Sequence, residues 1–201
     1  MPRTATVNPA TRRRLLDAAR RLMLERGYSG TSVDDICRAA RVTKGAFFHW
    51  FPTKEELAGA AVRSFCEEMG TMFDAALAGV TDPVRRIERR IDAMIQFARN
   101  PDVQQGCLLG ALAQEMCDCN PRFQSLCCDG FGAWIDTVEQ ELAAAKAAVA
   151  PRAPFRPRAL AEHLIAVLEG SLILAKAKQD PEVVVESLKH FRAYLKTLLK
   201  A

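Results

Sequence analysis

Residues 31–57, TSVDDICRAARVTKGAFFHWFPTKEEL, hold three helix starts in one short stretch. The first helix is expected from about Val33 to Ala40, where Val33, Ile36, Cys37 and Ala40 recur at helical spacing behind a Thr31/Ser32 start. Asp34 and Asp35 in its first turn suit the positive end of the helix dipole. The second helix is expected from about Lys44 to Trp50, behind Thr43, whose hydroxyl can cap the free N–H groups. Only Arg41 and Val42 separate the two, with Val42 available as an apolar plug between crossing helices. After Phe51 and Pro52, Thr53 and Glu56 form a T-x-x-E capping box that opens a third. Two helices joined by so tight a turn are how a chain sets a short helix in a DNA groove.

The surface of the second segment fits that use. Phe47 and Phe51, four apart, can face a core together, which leaves Lys44, Gly45, Phe48 and His49 on the side a helix-turn-helix presents to the major groove. Gly45 permits close approach of a backbone, and Thr43 and Lys44 sit where a helix N-terminus meets phosphate. The plainer alternative is a three-helix packing unit with a solvated basic face.

With the preceding helix, residues 11–57, TRRRLLDAARRLMLERGYSGTSVDDICRAARVTKGAFFHWFPTKEEL, resemble the N-terminal DNA-binding domain of the TetR family (TetR/AcrR-like) of bacterial transcriptional repressors. The match in order and spacing covers about the first quarter of the chain. Three positions depart from the family pattern. Arg41 stands in place of a turn Gly, so a side chain must accept a left-handed or nearby conformation at a cost of about 1 kcal/mol. Phe48 stands where Tyr is common, and Trp50 where His or Tyr is usual; both bear on operator sequence and affinity.

The resemblance implies an all-α protein of about nine helices: a helix-turn-helix DNA-binding domain over residues 1–56, then a helical ligand-binding and dimerisation domain over 57–201. It also implies a homodimer on a palindromic operator in double-stranded DNA, released by a small-molecule inducer of partly apolar character.

Composition agrees with a globular chain. With 201 residues, 49% hydrophobic and 26% charged, it can bury a sizeable core. No apolar run is long enough to span a membrane, and Met1 to Ala10 lacks the apolar centre of a signal peptide, so the protein is expected in the cytoplasm. Seven cysteines, an odd number, fit a compartment where thiols stay free. Residues 1–60 hold eleven Lys and Arg against six Asp and Glu, a net of +5, whereas the remainder is −1. Only the first part is therefore expected to meet a polyanion.

Residues 1–10 read as a loose arm, although Arg3 could reach phosphate or a minor groove. Leu15, Ala18, Ala19, Leu22 and Met23 mark a supporting helix from about Pro9 to Arg26, ended by Gly27, with Tyr28 filling the turn. The helix opened by Thr53 should run to about Gly79, and by resemblance it passes ligand binding to the DNA reader. Further helices follow Asp82-Pro83 and Asn120-Pro121, with another between Val103 and Cys117, where Gly106 and Gly110 allow close packing. The last two, about Arg158 to Gln179 and Pro181 to Lys200, have broad apolar faces. These could pack within one chain, but two-fold pairing with a second copy fits the resemblance better.

Cys107, Cys117, Cys119, Cys127 and Cys128 cluster in one region. They read as small apolar core residues with a few exposed thiols, as a thiol switch, or as a thiolate metal site. The segment QGCLLGALAQE resembles an electrophile- and oxidant-responsive branch of the family and makes Cys107, at a helix start that lowers a thiol pKa, the redox candidate. Neither Cys117-x-Cys119 nor Cys127-Cys128 has C-x-x-C spacing, so no metal and no cofactor is expected. No phosphate loop, H-E-x-x-H, dinucleotide glycine pattern or nucleophile elbow occurs, which argues against an enzyme. A helical interaction protein that only dimerises is the competitor of another class, and the basic first domain argues against it.

The residues expected near DNA are Lys44, His49 and Trp50 at bases, Gly45 and Phe48 on the same face, and Thr31, Thr43 and Lys54 on phosphates. Inward-facing pocket candidates are Met94, Phe97, Leu108, Leu112, Met116, Phe131, Trp134, His163 and Val167.

Overall fold

The computed structural model describes residues 9–100 and 106–200. Among them are nine α-helices and no strands: α1 (Pro9–Arg26), α2 (Val33–Ala40), α3 (Lys44–Trp50), α4 (Lys54–Leu77), α5 (Pro83–Arg99), α6 (Leu108–Met116), α7 (Pro121–Val149), α8 (Pro157–Lys178) and α9 (Glu182–Leu198). Arg3 and the start of the helix expected from Val103 lie outside the described residues.

The helix boundaries follow local chemistry. Ser32 and Asp35 close a reciprocal capping box at α2, and the hydroxyls of Thr43 and Thr53 accept the N–H groups of Ala46 and Glu56. Asp82 and Asn120 cap α5 and α7 just before a proline at the first helical position. Arg41 ends α2 in the left-handed region, at φ 54° and ψ 51°, and its N–H bonds back to the carbonyls of Cys37 and Arg38. The departure from glycine seen in the sequence is therefore accommodated by a side chain at φ > 0, at about 1 kcal/mol.

Two apolar cores organise the chain. The first joins Leu15, Ala19, Leu22 and Met23 of α1, Ile36 of α2, Phe47 of α3 and Leu57 of α4. It continues without a break into Leu108, Leu112 and Met116 of α6 and Phe123 and Cys127 of α7. The second is the helical body of α5, α7, α8 and α9, centred on Ile87, Ile91, Met94, Val138, Leu142, Leu164 and Leu188. One ion pair lies inside this body: Arg90 of α5 meets Glu141 of α7 through Nε at 2.5 Å and Nη2 at 2.8 Å, and only 2% of the arginine is exposed. Such a fork-to-fork pair offsets its own desolvation only because both nitrogens and both oxygens are matched.

Polar ties fasten the front of the molecule to the body. Glu55 of α4 holds Asn120 and Arg122 at 2.9 and 3.0 Å, and Lys176 of α8 donates to the Leu24 carbonyl at 2.8 Å.

Candidate nucleic-acid interface and effector cavity

The α2–α3 pair presents one helix face outward. Phe47 is fully buried and Phe51 nearly so, which turns Thr43, Lys44, Gly45, Phe48 and His49 to solvent, with Phe48 53% exposed. The exposed Phe48 ring meets Phe47 edge-on at 5.1 Å and leaves its other surface to solvent. Lys44 reaches Asp34 across the turn at 2.8 Å, and this hydrogen bond holds its pKa above the ordinary value. Trp50 is half-buried against the first core and packs edge-on against His49, so only part of the indole faces outward.

Two expected phosphate contacts are placed elsewhere. Thr31 is fully buried and its hydroxyl donates to the Gly27 carbonyl at 2.8 Å. Lys54 lies 4.0 Å over the Tyr28 ring and donates to the carbonyls of Tyr28 and Thr31, both at 2.9 Å, while burial lowers its pKa. The turn after α1 folds over both residues, which makes them braces of the reader and removes Thr31 from its surface.

That turn is gripped from behind. The Glu115 carboxylate of α6 accepts the N–H groups of Tyr28 at 2.6 Å and Ser29 at 2.8 Å. Burial pushes its pKa up, but the Ser29 and Tyr28 donors and the Lys54 ammonium outweigh this and hold it below the usual carboxylate range. Gly27 makes the approach possible: its φ is +79°, and a Cβ there would lie 2.7 Å from a Glu115 oxygen.

Behind the reader, a cavity of about 270 Å³ opens between the helices. Helix α4 contributes Phe65, Cys66, Met69 and Phe73, and α5 contributes Arg90 and Phe97. Trp134 and Thr137 of α7, Leu168, Glu169 and Leu172 of α8, and Cys107 with Leu109 at the start of α6 add to the wall, with Asp74 of α4 at its solvent edge. Of the nine residues expected in a pocket, Phe97 and Trp134 line it. Met94 belongs to the second core, and Leu108, Leu112 and Met116 to the first, with Phe131 packed against the first and Val167 against the second. His163 is exposed, with its ring near those of Phe191 and Tyr194. Helical spacing marks an inward face, but, His163 apart, these residues face a neighbouring helix and not the gap among several.

Glu169 was absent from the expected set, though one signal was available. It is the one acid in LIAVLEGSLILA, residues 164–175, with no basic residue three or four positions away. Its Oε1 is buried without a hydrogen-bond partner, as is Nε1 of Trp134. Burial raises the Glu169 pKa, which the Cys107 thiol, donating to it, partly opposes.

Cys107 behaves differently from the expectation of a lowered thiol pKa. The N–H groups of Gly110 and Leu109 at the start of α6 do pull it down, but burial and then Glu169 dominate and hold the thiol well above its ordinary value. Cys117 and Cys127 are free thiols that donate to the carbonyls of Phe123 and Leu109, and burial, then the neighbouring Cys117, pushes the Cys127 pKa up to about 12. Among the described residues no three His, Cys, Asp or Glu side chains are grouped to hold a metal ion.

A short helix held outward by two others, joined to a helical body with an internal cavity, defines a DNA-binding transcriptional regulator of the helix-turn-helix class. The chain belongs to the TetR family: residues 15–61 match the family model for bacterial regulatory proteins of the tetR family, and residues 83–190 match that for the C-terminal domain of LmrA/YxaF-like transcriptional regulators. Among curated proteins it is similar to the HTH-type transcriptional repressor DhaR of a Mycobacterium species, 28% identical with 85% of each chain covered. It is also similar to the transcriptional regulator AcuR of Cereibacter sphaeroides, 29% identical over 90% of this chain and 83% of that one. A TetR transcriptional regulator from Chloroflexus aurantiacus, solved as a crystal structure, superimposes with a TM-score of 0.83 at 28% identity, covering 92% of this chain and 94% of the other. These relatives are regulators, a non-enzymatic role, and no described helix is long and apolar enough to cross a membrane.

Proposed function

We propose that the protein is a homodimeric cytoplasmic repressor, released from a palindromic operator by a small molecule bound in the α4–α8 cavity. The observation that carries this reading is the outward face of α3. Lys44, His49 and the exposed edge of Trp50 would lie nearest bases, Gly45 and Phe48 would line the same groove, and Thr43 would donate to phosphate. Lys54 would steady the reader from within.

The outer faces of α8 and α9 support pairing. Ile173, Leu174 and Tyr194 are each about half exposed, at 51%, 51% and 48%, and His163 lies beside Tyr194. Bulky apolar side chains on the last two helices suit a two-fold interface that would set two α3 helices one DNA turn apart. Helix α4 would carry the signal, since its first turn braces the reader through Lys54 and its middle lines the cavity through Phe65, Met69 and Phe73. Helix α6 gives a second route, with Cys107 at the cavity and Glu115 on the reader's turn. A coupling of about 1–3 kcal/mol between cavity and reader is enough for a usable response.

Selection of bound fragments from a random double-stranded DNA pool tests this directly. The expected product is a palindrome whose half-sites are about 10 bp apart, centre to centre. A single unpaired half-site would overturn the dimeric reading, and no enrichment would overturn DNA recognition by α3.

A further inference from the structure

The cavity carries a chemical preference. Among the described residues its one acid, apart from Asp74 at the solvent edge, is Glu169, which projects from an otherwise apolar run of α8. The neighbouring helix is bare where the carboxyl lies, since a Cβ on Gly110 would fall 2.2 Å from Glu169 Oε2. Cys107 donates to the carboxyl, yet Oε1 remains buried with no partner. A desolvated carboxyl oxygen with no hydrogen-bond partner is costly to keep unless something arrives to pair with it.

The rest of the described wall offers that oxygen no free cation. Arg90 is the one lining cation among the described residues, and its Nε and Nη2 are engaged by Glu141, which Arg86 approaches as well at 3.4 Å. Phe65, Phe73, Phe97 and Trp134 surround the space with aromatic surface, which attracts a cation on its faces and buries an apolar body at its edges. An anion would meet Glu169 with like charge, and a hydrocarbon would leave Oε1 and the Trp134 N–H unpaired.

We infer that the cavity selects a lipophilic organic ammonium: a compact apolar body carrying a protonated amine that pairs with Glu169. This rests on the reading of the cavity as the effector site and adds the charge of its occupant. Burial, which raises the Glu169 pKa in the empty cavity, is offset when an ammonium sits against it.

Three probes of one shape test the charge alone: 1-adamantylammonium, 1-adamantanol and 1-adamantanecarboxylate, titrated by calorimetry into the full chain. The ammonium is expected to bind most tightly, about tenfold or more above the carboxylate. Glu169→Gln should draw ammonium and alcohol to similar affinities. Equal or tighter binding of the carboxylate to the unmodified chain would overturn the inference, as would an undiminished ammonium preference in Glu169→Gln. If none of the three binds, the effector-site reading fails together with it, an outcome distinct from loss of charge preference alone.

Discussion

The carboxylate of Glu115 holds the backbone N–H groups of both Tyr28 and Ser29, reaching from α6 to a turn 86 and 87 residues earlier in the chain. The turn so held leads directly into α2. The same short helix starts at the cavity wall, so one rigid element touches both the cavity and the approach to the reader.

Glu115→Ala should release that turn. The expected loss of stability is about 1 kcal/mol, because two charge-assisted hydrogen bonds go but the site is open to water. Amide hydrogen exchange at Tyr28 and Ser29 should accelerate in the variant, and unchanged protection would mean that the grip is unimportant. The pH dependence has a fixed sign. The Glu115 pKa is lowered on folding, so its contribution is complete above the unfolded carboxyl's ordinary value and is lost as pH falls through the lower folded one. Protection of the two amides in the unmodified chain should fail in that acid window.

The pairing of Lys44 with Asp34 gives opposite predictions for its two members. Lys44→Ala should weaken operator binding and reduce the slope of log affinity against log salt by about one. Asp34→Asn frees the ammonium and should strengthen binding while steepening the slope. Equal slopes in all three proteins, measured by fluorescence anisotropy across salt concentrations, would remove Lys44 from the interface.

Neighbouring phenylalanines should separate structure from recognition. Phe47→Ala empties a fully buried site and should cost about 3–5 kcal/mol in chemical denaturation. Phe48→Ala, at a half-exposed site, should change stability by no more than about 0.5 kcal/mol and shift operator preference in the selection experiment.

Arg41→Gly should stabilise the chain by about 1 kcal/mol, because glycine occupies φ 54° without the steric cost of a side chain. A thermal midpoint equal to or below that of the unmodified protein would show that the arginine side chain compensates for its backbone.

The helices were readable because their ends are written in local chemistry. Thr43, Thr53, Asp82-Pro83 and Asn120-Pro121 each act within a few residues of themselves, and so does the pairing of Phe47 with Phe51. The outward residues of α3 followed from the same short-range logic. Lys54 did not, because its partners are the carbonyls of Tyr28 and Thr31, 26 and 23 residues earlier, and Thr31 did not because its complete burial is a tertiary effect even though its hydroxyl bonds locally to Gly27. The cavity was least legible. Phe65 and Phe73 fall on the inner stripe of α4 like any core residue, and whether Met94 or Phe97 of α5 meets the gap depends on how α4, α7 and α8 diverge. Cys107 shows the same limit: a helix start argues for an acidic thiol, but burial, and then Glu169 brought in from α8, reverses the outcome.

The unbroken first core bears on how such regulators can be recombined. Leu108, Leu112 and Phe123 are as much a part of the reader's interior as Leu22 or Phe47. A chimaera that exchanged only the residues before α4 for another family member's would set a foreign surface against these three side chains and against Glu115. The smallest portable unit is discontinuous: α1 to the first half of α4, together with α6 and the opening turns of α7. On the proposed reading of α3, operator specificity would be transplanted by changing its outward side chains, not by moving the segment that displays them.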